Sequence, residues 1–198
     1  DTISYTPGEA VDAARVLVNS LVPMSFTNLG SGGTVTIAAG DGASDTLVYK
    51  GTLSNDAFLV AGTGVLDLVS QAGNHVDITP TGMEALTLDG QDGDDSFTIN
   101  SGAIFGGGIN ILGGNPSGSD HVTLNGSGLA DTIGLTLGVT GDTVTGVVSG
   151  TVSLSGVENL TINSLGAADA LSVTNLGGAT DLYNVKMTLF KPRGIGGK

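Results

Sequence analysis

The feature that most restricts the folds open to this chain is a block of strands and turns written three times. Starting at Asp1, Asp56 and Asp131, each block opens with Asp, a small or polar residue and an apolar run: Asp1-Thr-Ile-Ser-Tyr, Asp56-Ala-Phe-Leu-Val and Asp131-Thr-Ile-Gly-Leu. The second and third blocks share Gly82-Met-Glu84-Ala-Leu-Thr-Leu and Gly156-Val-Glu158-Asn-Leu-Thr-Ile. All three close on a Gly/Ala/Asp turn that feeds a short strand: Asp45-Thr-Leu-Val, Asp95-Ser-Phe-Thr-Ile and Asp169-Ala-Leu-Ser-Val. A chain that repeats its architecture, rather than concentrating unusual residues in one place, is usually a scaffold of stacked units.

Within the blocks apolar residues alternate at period two, as in Thr34-Val-Thr-Ile, Phe97-Thr-Ile, Val122-Thr-Leu, Val152-Ser-Leu and Leu160-Thr-Ile. Strands begin roughly every 8–13 residues, with Gly, Asn or Asp between them. Only Glu9 to Leu21 carries a helical spacing, and Arg15-Val-Leu-Val-Asn inside it also reads as a strand. Gly is abundant, at 34 of 198 residues, but 39% apolar and only 13% charged residues argue against disorder. With no Trp, five Phe and three Tyr, the core is expected to be aliphatic.

These signs give an all-β chain: a β-solenoid or parallel β-helix-like repeat array, with tandem β-sandwich domains as the alternative. An extra segment at about 104–125 favours the solenoid, because the motif restarts in phase after it. A solenoid absorbs one more coil without disturbing its neighbours, whereas a sandwich would have to re-pair both sheets. The expected organisation is a single repeat domain over 1–198. Its blocks run over about 1–55, 56–130 and 131–180, with an incomplete fourth block and basic tail at 181–198.

A net charge of −13 argues against nucleic-acid binding, which needs clustered Lys and Arg. Four of the six basic residues, Lys186, Lys191, Arg193 and Lys198, fall in the last thirteen positions. With no Cys there is neither a disulfide nor a thiolate metal site, and no apolar stretch is long enough to span a bilayer. The chain opens on Asp rather than Met, as a processed product or an excised segment does.

The segment Gly90-Gln-Asp-Gly93-Asp-Asp95-Ser-Phe97-Thr resembles the calcium-binding nonapeptide of RTX proteins, and departs from it at Gln91, where the pattern has Gly. The resemblance implies a tight turn in which Asp95, with Asp89, Asp92 and Asp94 around it, offers hard oxygens to Ca²⁺. Asp41 and Asp45, in Gly40-Asp-Gly-Ala-Ser-Asp45, form a weaker relative of the motif. The competing reading is that each Asp caps its turn by accepting backbone N–H bonds.

The wider phrasing also resembles repeat regions of large secreted bacterial surface proteins. The residues that carry this are Tyr5-Thr-Pro, Ile78-Thr-Pro, Phe26-Thr-Asn-Leu and Gly-Val-Glu158-Asn-Leu-Thr-Ile. This implies an adhesin or a surface-layer component, secreted to the cell surface, with other copies of itself or matrix components as partners. The function expected is therefore a non-enzymatic structural or adhesive module, Ca²⁺-stabilised and self-assembling end to end into filaments. A polysaccharide-active β-helix enzyme, a lyase or hydrolase, is the alternative.

Glu84 and Glu158 recur at one point of the repeat, which suits a ladder contact better than a unique acid–base site. His75 and His121 read as strand-start residues facing solvent, and no Ser has an evident His partner. Thr34-Val-Thr and Thr143-Val-Thr hint at a flat Thr face for ice or mineral.

Overall fold

The computed structural model describes residues 1–30, 32–40, 42, 44–116, 119–138, 141–177, 182 and 184–189. Among the described residues there is no helix, and the strands follow the three blocks. The first contains β1 (Thr2–Pro7), β2 (Ala14–Val18), β3 (Met24–Phe26), β4 (Thr34–Ala38) and β5 (Thr46–Lys50). The second contains β6 (Ala57–Val60), β7 (Leu66–Ser70), β8 (Gly73–Asn74), β9 (Asp77–Thr81), β10 (Ala85–Asp89) and β11 (Ser96–Asn100). Then come β12 (Gly108–Leu112) and β13 (His121–Asn125). The third block holds β14 (Thr132–Leu137), β15 (Asp142–Thr145), β16 (Thr151–Ser155), β17 (Asn159–Asn163) and β18 (Ala170–Asn175), followed by β19 (Asn184–Thr188).

The fold is a two-sheet β-solenoid. One sheet has the order β18-β14-β15-β16-β12-β10-β5-β1-β2-β3, the other β19-β17-β13-β11-β6-β7-β9-β4. The chain winds between them, so that β5, β10, β12 and β16 stack in parallel on one side and β6, β11, β13 and β17 on the other. Period-two patterning sets the register, because a slip of one residue would turn every apolar side chain outward. Leu47, Leu86, Ile109 and Val152 therefore form one buried column, and Phe58, Phe97, Val122 and Leu160 face it from the other sheet. Each such side chain contributes about 1.5–3 kcal/mol on burial. β12 and β13 make up the extra coil, inserted in phase between its neighbours.

Two features depart from the sequence expectation. The array is not purely parallel: each block opens on an antiparallel meander, β1-β2-β3, β6-β7-β9 and β14-β15-β16. The loops at 61–65 and 138–141 are too short for a crossover to a parallel neighbour, so the chain doubles back. Nor is the core wholly aliphatic. Phe26, Tyr5, Tyr49, Phe58 and Phe97 form a chain of rings with centroids 6.5, 5.0, 5.8 and 4.8 Å apart. Few aromatics suffice because in-register strands stack them. The segment from Glu9 to Leu21 holds strand β2 rather than a helix.

The two ends differ. Beyond the β5/β6 coil, three strands of each sheet follow toward the β3/β4 end. Toward the other end, among the described residues, β15, β14 and β18 lie beyond β16, whereas β19 alone lies beyond β17. β18 therefore overhangs its sheet partner and is exposed along its whole length.

Candidate functional site

The recurring acids sit at the corners where the chain passes from one sheet to the other. Along one edge the corners are 51–56, 90–95, 113–120 and 156–158, which close on Asp56, Asp95, Asp120 and Glu158. The Asp56 N–H donates to Asp95 Oδ1 at 2.8 Å, the Asp95 N–H to Asp120 Oδ1 at 2.8 Å, and the Asp120 N–H to Glu158 Oε2 at 2.9 Å. The opposite edge repeats the device: the Asp1 ammonium donates to Asp45, the Asp45 N–H to Glu84 Oε2 at 2.6 Å, and the Asp131 N–H to Asp169 Oδ1 at 2.9 Å. Each carboxylate thus ties its coil to the preceding one. Glu stands where the corner is only three residues (82–84 and 156–158), because the shorter corner needs the longer reach.

A glycine makes room for the acid at four of these corners, those of Asp56, Asp95, Asp120 and Asp131. A Cβ on Gly51 would lie 2.5 Å from Asp56 Oδ2, one on Gly113 2.6 Å from Asp120 Oδ2, and one on Gly126 2.6 Å from Asp131 Oδ2. The second oxygen is then satisfied or left bare by the next residue. At 51–56 the Thr52 N–H donates to Asp56 Oδ2 at 2.6 Å, and at 126–131 the Ser127 N–H donates to Asp131 Oδ2 at 3.0 Å. At 90–95 this position is Gln91, whose φ of 71° is left-handed and turns its N–H away. Its side chain instead donates to the carbonyls of Gly51 and Thr52. Asp95 Oδ2 is consequently buried with no hydrogen-bond partner in the protein, and Asp120 Oδ2 is buried without one in a corner where the residue after Gly113 is Gly114, also at positive φ (110°).

Burial dominates their electrostatics. It raises Asp95 from 3.8 to about 7, helped by the charges of Asp56, Asp120 and Asp94 and opposed by the Asp56 N–H. Asp120 rises to about 6, again through burial, with Glu158 and Asp94 adding repulsion against the Asp95 N–H. Burial also lifts Asp56, while its bonds to Thr52 pull the other way.

The four acids of the calcium-like segment do not share one side. Asp95 points into the corner, and Asp89 lies on the outer sheet face, with Lys50 Nζ 3.4 Å from its Oδ2. Asp92 and Asp94 are exposed; Asp94 accepts the Ser119 hydroxyl and its N–H bonds Asn55 Oδ1 at 3.0 Å. Asp45 is a buried rung, and Asp41 lies outside the described residues, as do Asp181, Lys191, Arg193 and Lys198. Among the described residues no three His, Asp or Glu side chains converge as metal ligands.

Three groupings were not drawn from the sequence. His75, expected to face solvent, is buried, and its Nε2 lies 2.8 Å from Ser70 Oγ on the rim of a cleft of about 580 Å³ that Thr52 and Gln91 also line. Burial lowers the His75 pKa, which leaves a neutral imidazole, but Nδ1 has no partner and Asp56 is turned to Thr52. The hairpin β7–β8 makes this pair, which a search for sequence motifs does not reveal. On the outer face, Thr98, Thr123 and Thr161 stack in register, and Asn100, Asn125 and Asn163 link through side-chain amides at 2.9 and 3.0 Å. Their signal was legible as apolar-Thr-apolar-Asn written three times. His121 joins this face, with Nε2 3.1 Å from Thr123 Oγ1. Comparison with protein-family models, with curated proteins and with solved structures finds no match to the chain.

Proposed function

We propose that the chain is a non-catalytic structural or adhesive module of an extracellular surface, built to extend and to associate through its ends. One observation carries this reading: the recurring acids, which would otherwise be candidate catalysts or ligands, are occupied by the backbone N–H groups of neighbouring coils. The same brick at each corner serves length and stiffness, whereas catalysis needs one unlike site. Calcium enters this reading as a stabiliser at the 90–95 corner, through Asp92 and Asp94, which face solvent. Imaging of the purified chain by negative-stain microscopy tests the proposal: rods or filaments support it, and lone particles at every concentration contradict it.

A second reading, hydrolysis of a polysaccharide or its ester, is favoured by the Ser70–His75 contact on the cleft rim. Turnover of acidic glycans or their acetyl esters that disappears in Ser70→Ala would establish it in place of the structural reading.

A further inference from the structure

We infer that Ser70 and His75 form an acyl-transfer site that hydrolyses O-acyl esters of uncharged saccharides. This rests on the hydrolytic reading above, and it narrows the substrate of that site to esters of neutral glycans. The site stands apart from the repeated rungs. Its turn, Ser70-Gln-Ala-Gly-Asn-His75, is written once, in the second block, and neither other block repeats it. Catalysis needs one such unlike site, whereas architecture repeats its parts.

The hairpin β7–β8 brings nucleophile and base together. The Ala72 N–H donates to Ser70 Oγ at 3.1 Å, which leaves the hydroxyl's own proton to point at His75 Nε2, 2.8 Å away. His75 is 4% exposed, and burial keeps its imidazole neutral, as a general base must be. The charge of Asp56, whose oxygens are turned to Thr52, favours the imidazolium once it forms. Ser70 Oγ attacks the acyl carbon, its proton passes to Nε2, and Nε2 returns that proton to the departing sugar oxygen. Water then adds to the acyl-serine, its proton moves through Nε2 to Ser70 Oγ, and the carboxylic acid leaves.

The cleft selects the substrate. Its volume of about 580 Å³ falls within the roughly 300–1,000 Å³ typical of small-ligand sites, room for a short stretch of sugar. Thr6, Ser54 and Gln71 line it with hydroxyls and an amide, which suit a sugar's hydroxyls, while Pro7 and the exposed Leu53 offer the acyl group an apolar wall. Among the described residues Glu9 is the one charged group in the lining, and no Lys or Arg contributes to it. Arg15 and Lys50 line a separate groove that has only Thr6 in common with the cleft. With a net charge of −13 behind it, the cleft disfavours carboxylated sugars and admits neutral ones.

Two readouts on the full chain test this. A fluorophosphonate reagent, followed by peptide mass mapping, reports the nucleophile. Acetate release from partly acetylated cello-oligosaccharides, and from partly acetylated oligogalacturonides, reports the substrate class. The expected result is one label per chain on Ser70, and release from the neutral ester faster by roughly tenfold or more, the range in which charge steers association. Both signals should vanish in Ser70→Ala and in His75→Gln, with circular dichroism confirming that each variant folds. Should His75→Gln unfold, Ser70→Ala at its half-buried position decides the site alone. Label or release that survives Ser70→Ala overturns the site. Faster release from the acidic ester overturns the substrate class and leaves the hydrolytic reading intact. Neither label nor release from either glycan overturns both.

Discussion

Replacing Gly51 by Ala puts the corner architecture under direct load. The added Cβ would lie 2.5 Å from Asp56 Oδ2, 2.9 Å from Phe58 Cζ and 3.0 Å from the Gly90 carbonyl oxygen. None of the three is free to retreat. Asp56 is held by the Thr52 N–H at 2.6 Å, Phe58 stacks on Phe97 at 4.8 Å, and the Gly90 carbonyl belongs to the next coil's backbone. Overpacking of this kind costs about 1–3 kcal/mol, and displacing Asp56 from its donors adds about 1 kcal/mol. At roughly 2–4 °C per kcal/mol for a chain of this length, the melting midpoint should fall by about 4–16 °C. Gly106→Ala is the control, since nothing lies within 4 Å of its Cβ position and its φ is not left-handed. There, loss of unfolded-chain entropy makes the change neutral or stabilising by up to about 1 kcal/mol. Calorimetry of both variants checks the argument; midpoints within 1–2 °C of each other would refute it.

The raised pKa values of Asp95 and Asp120, about 7 and about 6, mean that the folded chain holds these protons more tightly than the unfolded one. Their stabilisation is complete below the usual Asp range near pH 4 and is lost as pH rises through 6 and 7. His75, lowered by burial, acts in the opposite sense and only on the acid side of its ordinary 6.5. The midpoint should therefore fall between pH 6.5 and pH 8, by the equivalent of about 1–2 kcal/mol, and a rise over that interval would contradict the burial of the rungs. In Ca²⁺ at pH 8 the proposed ion stabilises the 90–95 corner, so adding a chelator should lower the midpoint by several degrees, and Asp92→Asn/Asp94→Asn should abolish that response. Tyr49→Phe should stabilise by about 1 kcal/mol, because the Tyr49 hydroxyl is buried without a partner and the ring contacts survive its removal; urea titration reads this directly. Gln91→Gly should leave stability unchanged or raise it by up to about 1 kcal/mol, the left-handed φ of 71° offsetting the loss of the side chain's bonds to Gly51 and Thr52.

The solenoid was legible because period-two runs, Gly/Asp corners and an in-phase insertion are all local signals. Phe97-Thr-Ile and Val122-Thr-Leu announce the same strand twice, and stacking follows. The corner acids were legible as a recurrence, including the Gly-apolar-Glu corners at Glu84 and Glu158. Their mutual bonding was not, because the partners stand 25 to 39 residues apart. The meanders escaped because a return to the same sheet and a crossing to the other begin with the same Gly-rich turn. His75 was misplaced for a similar reason. It follows the polar turn Gly73-Asn74, but the β7–β8 hairpin folds it under Ser70, a contact no alternation pattern encodes. The Thr and Asn columns could have been found by aligning the strands on their apolar residues and reading the positions between.

The buried acid rungs between coils are the feature on which the architecture of the molecule turns. Carboxyl-carbon NMR titration of Asp95 and Asp120 in calcium-free buffer, with Asp95→Asn and Asp120→Asn used to assign the signals, measures that directly. Midpoints near 7 and near 6, shared between two coupled groups, are the result the ladder predicts. Two independent midpoints near 4, as for solvated side chains, would contradict it.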